Sequence, residues 1–145
     1  MQINLPRYVS FYLYALLGML ALSVAISFGF SKDMPPGLTT ILPAMIAAYF
    51  EGVRQARERK AMLSSGAAWG AALAMTGAAF VFTACLYVVQ LAIPGVASAL
   101  TDVSRGFLYG LVIFVLVVVF LTNRVFLHHG MKTELAKVAS AERED

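Results

Sequence analysis

Apolar residues run through this chain in four long stretches, at about 9–30, 38–53, 67–93 and 106–123. Charge, proline and glycine concentrate in the breaks between them. A helix crosses a hydrocarbon core of ~30 Å with ~20 apolar residues, give or take a few. The first, third and fourth stretches meet that requirement. The second reaches only Val53 before charges take over, and its sixteen residues rise ~24 Å. That shortfall predicts local thinning of the bilayer, or burial of Glu51 against other helices. Pro43 lies inside the same stretch, removes one helical hydrogen bond and predicts a kink. The pattern therefore predicts an all-α fold, an integral membrane bundle of four transmembrane helices.

The breaks sharpen this layout. Pro6 suits a helix start. Arg7 before an apolar core is also how a cleavable signal begins, but such cores are ~7–15 residues long, so the longer run at 9–30 predicts a retained span. Pro35-Pro36-Gly37 predicts a tight reversal. Within EGVRQARERK, Glu51 to Lys60, Glu51 and Arg54 are i,i+3 while Arg54 and Glu58 are i,i+4. Those pairs predict a helix continuing beyond the membrane. Pro94-Gly95 closes the third stretch, and Asp102 with Arg105 predicts a short interfacial helix in the link that follows. After Arg124, which can snorkel to headgroups, the tail alternates Lys132, Glu134, Lys137, Glu142, Arg143 and Glu144 and predicts a short helix that frays. The expected organisation is one transmembrane domain over 1–128 and a cytoplasmic tail over 129–145.

Composition agrees with the pattern. The chain is 145 residues long, 60% hydrophobic and 13% charged, too few polar residues to cover a soluble domain. Charge placement predicts the orientation. Nine of the eleven Lys/Arg residues (Arg7, Arg54, Arg57, Arg59, Lys60, Arg124, Lys132, Lys137 and Arg143) fall on one side of the predicted bundle, with Lys32 and Arg105 on the other. Basic segments stay cytoplasmic, so both termini are expected inside. The same clustering reads as topology signal and anionic-headgroup contact, and nucleic acid is not an expected partner. The single cysteine, Cys85, forms no framework and is expected as a small packing residue.

Chemistry is sparse. No Asp, Lys, Arg or His lies near the centre of a span, where ion-coupled carriers usually place an ionisable group. Small multidrug transporters are similar in size but carry an acid in their first span; none is present here. Glu51 is the nearest to an intramembrane acid. It reads either as a titrating or cation-binding carboxylate or as an interfacial partner of Arg54. Gln90, with Glu51 and Arg54, completes the candidate polar positions. His128 and His129 are adjacent and point about 100° apart on a helix, with no Cys or acid at ligand spacing, so no metal is expected. No phosphate loop, HExxH or GxSxG motif occurs. No cofactor and no catalytic residue is expected. Gly66, Gly70, Ala74 and Gly77 recur along the third span, and Gly106 and Gly110 open the fourth. Small residues let membrane helices approach closely, so these six are the candidate seam, inside the bundle or toward a partner.

The PPG turn, LPAMIAAYFEG (Leu42 to Gly52), the basic link and Trp69 together resemble a family of small uncharacterised bacterial four-span inner-membrane proteins, over residues 35–80. The resemblance implies four helices with a basic link between the second and third, and it carries no activity onto any residue. The expectation is a non-enzymatic bacterial inner-membrane protein, an accessory or interaction subunit packing against a larger membrane complex or a second copy. The alternative is a small oligomeric transporter or channel. A protective role such as an immunity protein has no specific mark.

Overall fold

The computed structural model describes residues 3–30, 36–91 and 104–141. They form four helices: α1 (Leu5–Phe30), α2 (Pro36–Arg59), α3 (Ser65–Leu91) and α4 (Arg105–Ala141). Most of the expected reversal at 31–37, Pro94-Gly95 and the link around Asp102 lie outside the described residues.

Helix starts follow local chemistry. Asn4 Oδ1 accepts the Arg7 amide at 3.1 Å, Ser64 Oγ accepts that of Ala67 at 3.4 Å, and Ser104 Oγ accepts that of Phe107 at 3.2 Å. Each side chain satisfies one of the amides a first turn leaves without a carbonyl. At the far end of α2, the Lys60 amide still donates to Ala56 O at 2.8 Å while Lys60 itself turns left-handed, with φ 52°. That terminal twist stops the helix.

Two expectations change here. α1, α3 and α4 are long and apolar enough to cross a membrane, whereas α2 is not. The reason is α2's position. It packs most extensively against α4 and next against α1, so its inner face meets protein and can carry Glu51, Gln55 and small residues in place of lipid-compatible bulk. The second change concerns α4. The fourth span and the tail are one continuous 37-residue helix, about 55 Å long, rather than a span followed by a separate short helix.

Close backbone approach explains the α2–α4 contact. Pro43, Ala44, Ala47, Ala48, Glu51, Gly52, Gln55 and Ala56 are buried along one stripe of α2. Val119, Asn123, Leu127, Gly130, Met131 and Glu134 form the facing stripe of α4. A Cβ on Gly52 would overlap the Leu127 carbonyl oxygen, and one on Gly130 would overlap that of Tyr49. The two helices touch main chain to main chain at these glycines, as small residues allow in membrane bundles.

Among the described residues, the buried core lies at one end. The core joins Tyr8 and Tyr12 of α1, the α2 alanines, Ala71, Met75 and Ala79 of α3, and Val119 and Leu127 of α4. Toward the other end Phe28, Val88, Val89, Phe107, Ile113 and Phe114 are exposed. Cys85 is exposed in that region too, which corrects its expected role as a packing residue.

Candidate functional site

The packed end gathers polar side chains from all four helices. The first turn of α1 places Arg7 beside α2, where it clamps Glu51 with two hydrogen bonds. Nε donates to Oε2 at 2.8 Å and Nη2 to Oε1 at 2.9 Å. Its remaining nitrogen, Nη1, donates to Glu58 Oε1 at 2.5 Å. One helical turn along α2, Gln55 Nε2 donates to Glu51 Oε1 at 3.1 Å. Glu51, fully buried, thus receives three N–H donors, and a paired fork of this kind is among the strongest polar contacts a protein makes. A cation at Glu51 would have to displace Arg7.

A second chain of hydrogen bonds crosses the same level. Tyr8 Oη donates to Asn123 Oδ1 at 3.1 Å, Asn123 Nδ2 donates to Thr76 Oγ1 at 3.1 Å, and Thr76 Oγ1 donates to Ala72 O at 2.8 Å. One buried file therefore ties α1, α4 and α3. Tyr12 Oη and Thr83 Oγ1 meet at 3.3 Å further along. Below the file, Arg57 Nε donates to Glu134 Oε1 at 2.5 Å and joins α2 to the extension of α4. Arg124 lies over Trp69, with its guanidinium carbon 5.2 Å from the ring centroid, and Phe120 stacks on the same ring at 5.4 Å.

Electrostatics follow the geometry. The Glu58 carboxyl is held below its ordinary range, chiefly by the hydrogen bond from Arg7. Burial opposes that shift, and the charges of Arg7, Arg54 and Arg59 add to it. The arrangement offers no nucleophile with a base beside it. What it can do is fix four helices in one register, since buried polar groups demand their partners.

The structure separates the sequence-predicted residues. Glu51 is in an ion pair as the second of its readings required, but its partner is Arg7, across the bundle; Arg54 is exposed and makes no ion pair among the described residues. Gln90 falls in the last turn of α3, and its side chain lies outside the described set. Among the described residues, Gly66, Gly70, Gly77, Gly106 and Gly110 have nothing within 4 Å of the position a Cβ would occupy. They are therefore not a seam within this chain, and Ala74 faces a cavity. The residues missed are Gly52, Gly130, Tyr8 and Asn123. The four-residue spacing of Ala44, Ala48, Gly52 and Ala56 was the available signal for the first.

Comparison of the chain with protein-family models, curated proteins and solved structures finds no match.

Proposed function

We propose that this chain is a multi-pass protein of the bacterial inner membrane, without catalysis of its own, that works by helix–helix association as an accessory subunit or a homo-oligomer. α2 supplies the fourth span over about 38–53 and continues beyond the membrane through its charged last turns, and both termini are cytoplasmic. The observation carrying the association reading is the outer face of α3. Gly66 and Gly77 share a face opposite the buried Ala68, Ala72, Met75 and Ala79 stripe, and among the described residues nothing lies within 4 Å of a Cβ built at either. Backbone laid bare on a membrane helix suits close approach by another helix. The orientation is supported by the gathering of Arg7, the basic link and the α4 extension at one end.

Purification from native membranes in mild detergent tests association. Wild type should come out with a stoichiometric partner or as a defined oligomer, and Gly66→Leu or Gly77→Leu should lose it while the thermal midpoint holds. A lone monomer unaffected by either change would falsify the reading, and a homo-oligomer that passes ions in liposomes would replace it with a channel. For orientation, Ala61→Cys in a Cys85→Ser background should react with impermeant thiol reagents only from the cytoplasmic side.

A further inference from the structure

Gln55 is 2% exposed, yet its Oε1 has no hydrogen-bond partner among the described residues. The amide cannot be turned round, because Nε2 donates to Glu51 Oε1 and a flip would set two acceptors face to face. A buried acceptor without a donor is costly and calls for a reason. Gln55 lines a cavity of about 350 Å³ between α1, α2 and α3, together with Arg59, Ala67, Gly70, Ala71 and Ala74. Arg59 is exposed and makes no ion pair among the described residues. The four small residues sit at i, i+3, i+4 and i+7 on α3, so they form one wall of a slot about 10 Å long, and Ile3, Leu5 and Leu63 complete its apolar lining. Trp69, in the same turns of α3, lies under the Arg124 guanidinium of α4, the pairing expected at headgroup level.

We propose that this slot holds one anionic phospholipid with a hydroxylated headgroup, of the phosphatidylglycerol class. Its phosphate rests on Arg59, a glycerol hydroxyl donates to Gln55 Oε1, and one acyl chain lies along Ala67, Gly70, Ala71 and Ala74. Each partner answers an observation: the anion meets the unpaired guanidinium, the neutral donor meets the orphaned acceptor, and the chain fills an apolar slot. Water would satisfy Gln55 but leave about ten molecules against alanine and glycine. A choline headgroup offers no donor, and soluble phosphate leaves the slot empty. The proposal stands on this cavity and not on the glycine face, so it goes beyond the association reading and survives that reading's failure.

The test uses the full chain, stripped of lipid in detergent and titrated with phosphatidylglycerol, phosphatidylcholine or glycerol 3-phosphate, read by native mass spectrometry and thermal midpoint. One phosphatidylglycerol per chain should be retained about fivefold or more in preference to phosphatidylcholine, the scale of one basic contact at a membrane surface. Arg59→Gln should remove that preference, Ala74→Phe should exclude both lipids, and Arg54→Gln, an exposed charge outside the slot, should change neither. Equal retention of the two lipids by wild type overturns the proposal. So does a preference that survives both Arg59→Gln and Ala74→Phe, or full competition by glycerol 3-phosphate with Ala74→Phe silent.

Discussion

The two ends of this bundle are built on opposite rules. At the basic end, backbones touch, small residues face inward, and polar groups are tied across helices. At the other end the helices present Phe28, Val88, Val89, Phe107 and Phe114 outward, and the glycines there and on the outer face of α3 meet nothing within 4 Å among the described residues. Glycine thus has two meanings in one chain: at Gly52 and Gly130 it lets α2 and α4 meet, whereas at Gly106 and Gly110 it leaves a surface open. The difference teaches that close approach and polar satisfaction go together. Glu51 receives Arg7 because the first turn of α1 is held against α2, and it receives Gln55 from one turn along its own helix.

The sharpest way to break this comparison is to add a side chain at each kind of glycine. Gly52→Leu or Gly130→Leu places atoms where the facing helix has main chain, which cannot move without parting the two helices. A cost above ~4 kcal/mol is expected, so the protein should lose its cooperative thermal transition in detergent. Gly106→Leu and Gly110→Leu should stay within about 0.5 kcal/mol of wild type. Equal effects at the two pairs would erase the distinction.

Next in size is the clamp. Arg7→Met leaves a fully buried carboxylate without its cation, and such a loss costs ~3–5 kcal/mol. The lower figure is expected, since the Arg7 side chain keeps 17% exposure. Replacing both partners, Arg7→Met with Glu51→Met, should recover most of the loss, because two apolar side chains often replace a buried pair without penalty. A double-mutant cycle on thermal midpoints reads the difference, and a double variant as weak as the single one would mean that Glu51 is held for another reason.

Much of the layout could be read from the residues alone. The apolar runs located the four helices, and the isolation of Glu51 among apolar neighbours required a partner for it. Its partner could not be read, because Arg7 lies 44 positions away and local spacing offered Arg54 instead. The glycines failed for a related reason. In a chain apolar on every side, lipid-facing and protein-facing surfaces share a composition, so spacing revealed small-residue stripes without revealing which faced inward. Gly52 and Gly130 were passed over because each lies at a charged end of its helix, where the polar pattern suggested solvent. Tyr8 and Asn123 lie 115 positions apart, and only the fold brings them together.

A smaller effect tests the hydrogen-bonded file. Tyr8→Phe removes one donor and leaves Asn123 Oδ1 bare, and interhelical bonds of this kind average ~0.6 kcal/mol with a ceiling near 1.7. Thr83→Val, which removes the outlying contact to Tyr12 at 3.3 Å, should cost less still. If Thr83→Val proves the more damaging, the packed end is not where register is set.

The smallest effect is a pH dependence at the edge of the clamp. Glu58 sits half-exposed, with its carboxyl held below the ordinary range first by the hydrogen bond from Arg7. A group whose folded value is depressed contributes stability in full above its unfolded value, and that contribution disappears as pH falls through the folded value. Wild type should therefore exceed Glu58→Gln in thermal midpoint by a constant margin above roughly pH 5, where an ordinary glutamate is ionised. The margin should close on further acidification, once both side chains are neutral. The same comparison in an Arg7→Met background should show little margin at any pH, because the donor that depresses Glu58 is gone. A margin that widens as pH falls would reverse the sign and detach Glu58 from the packed end.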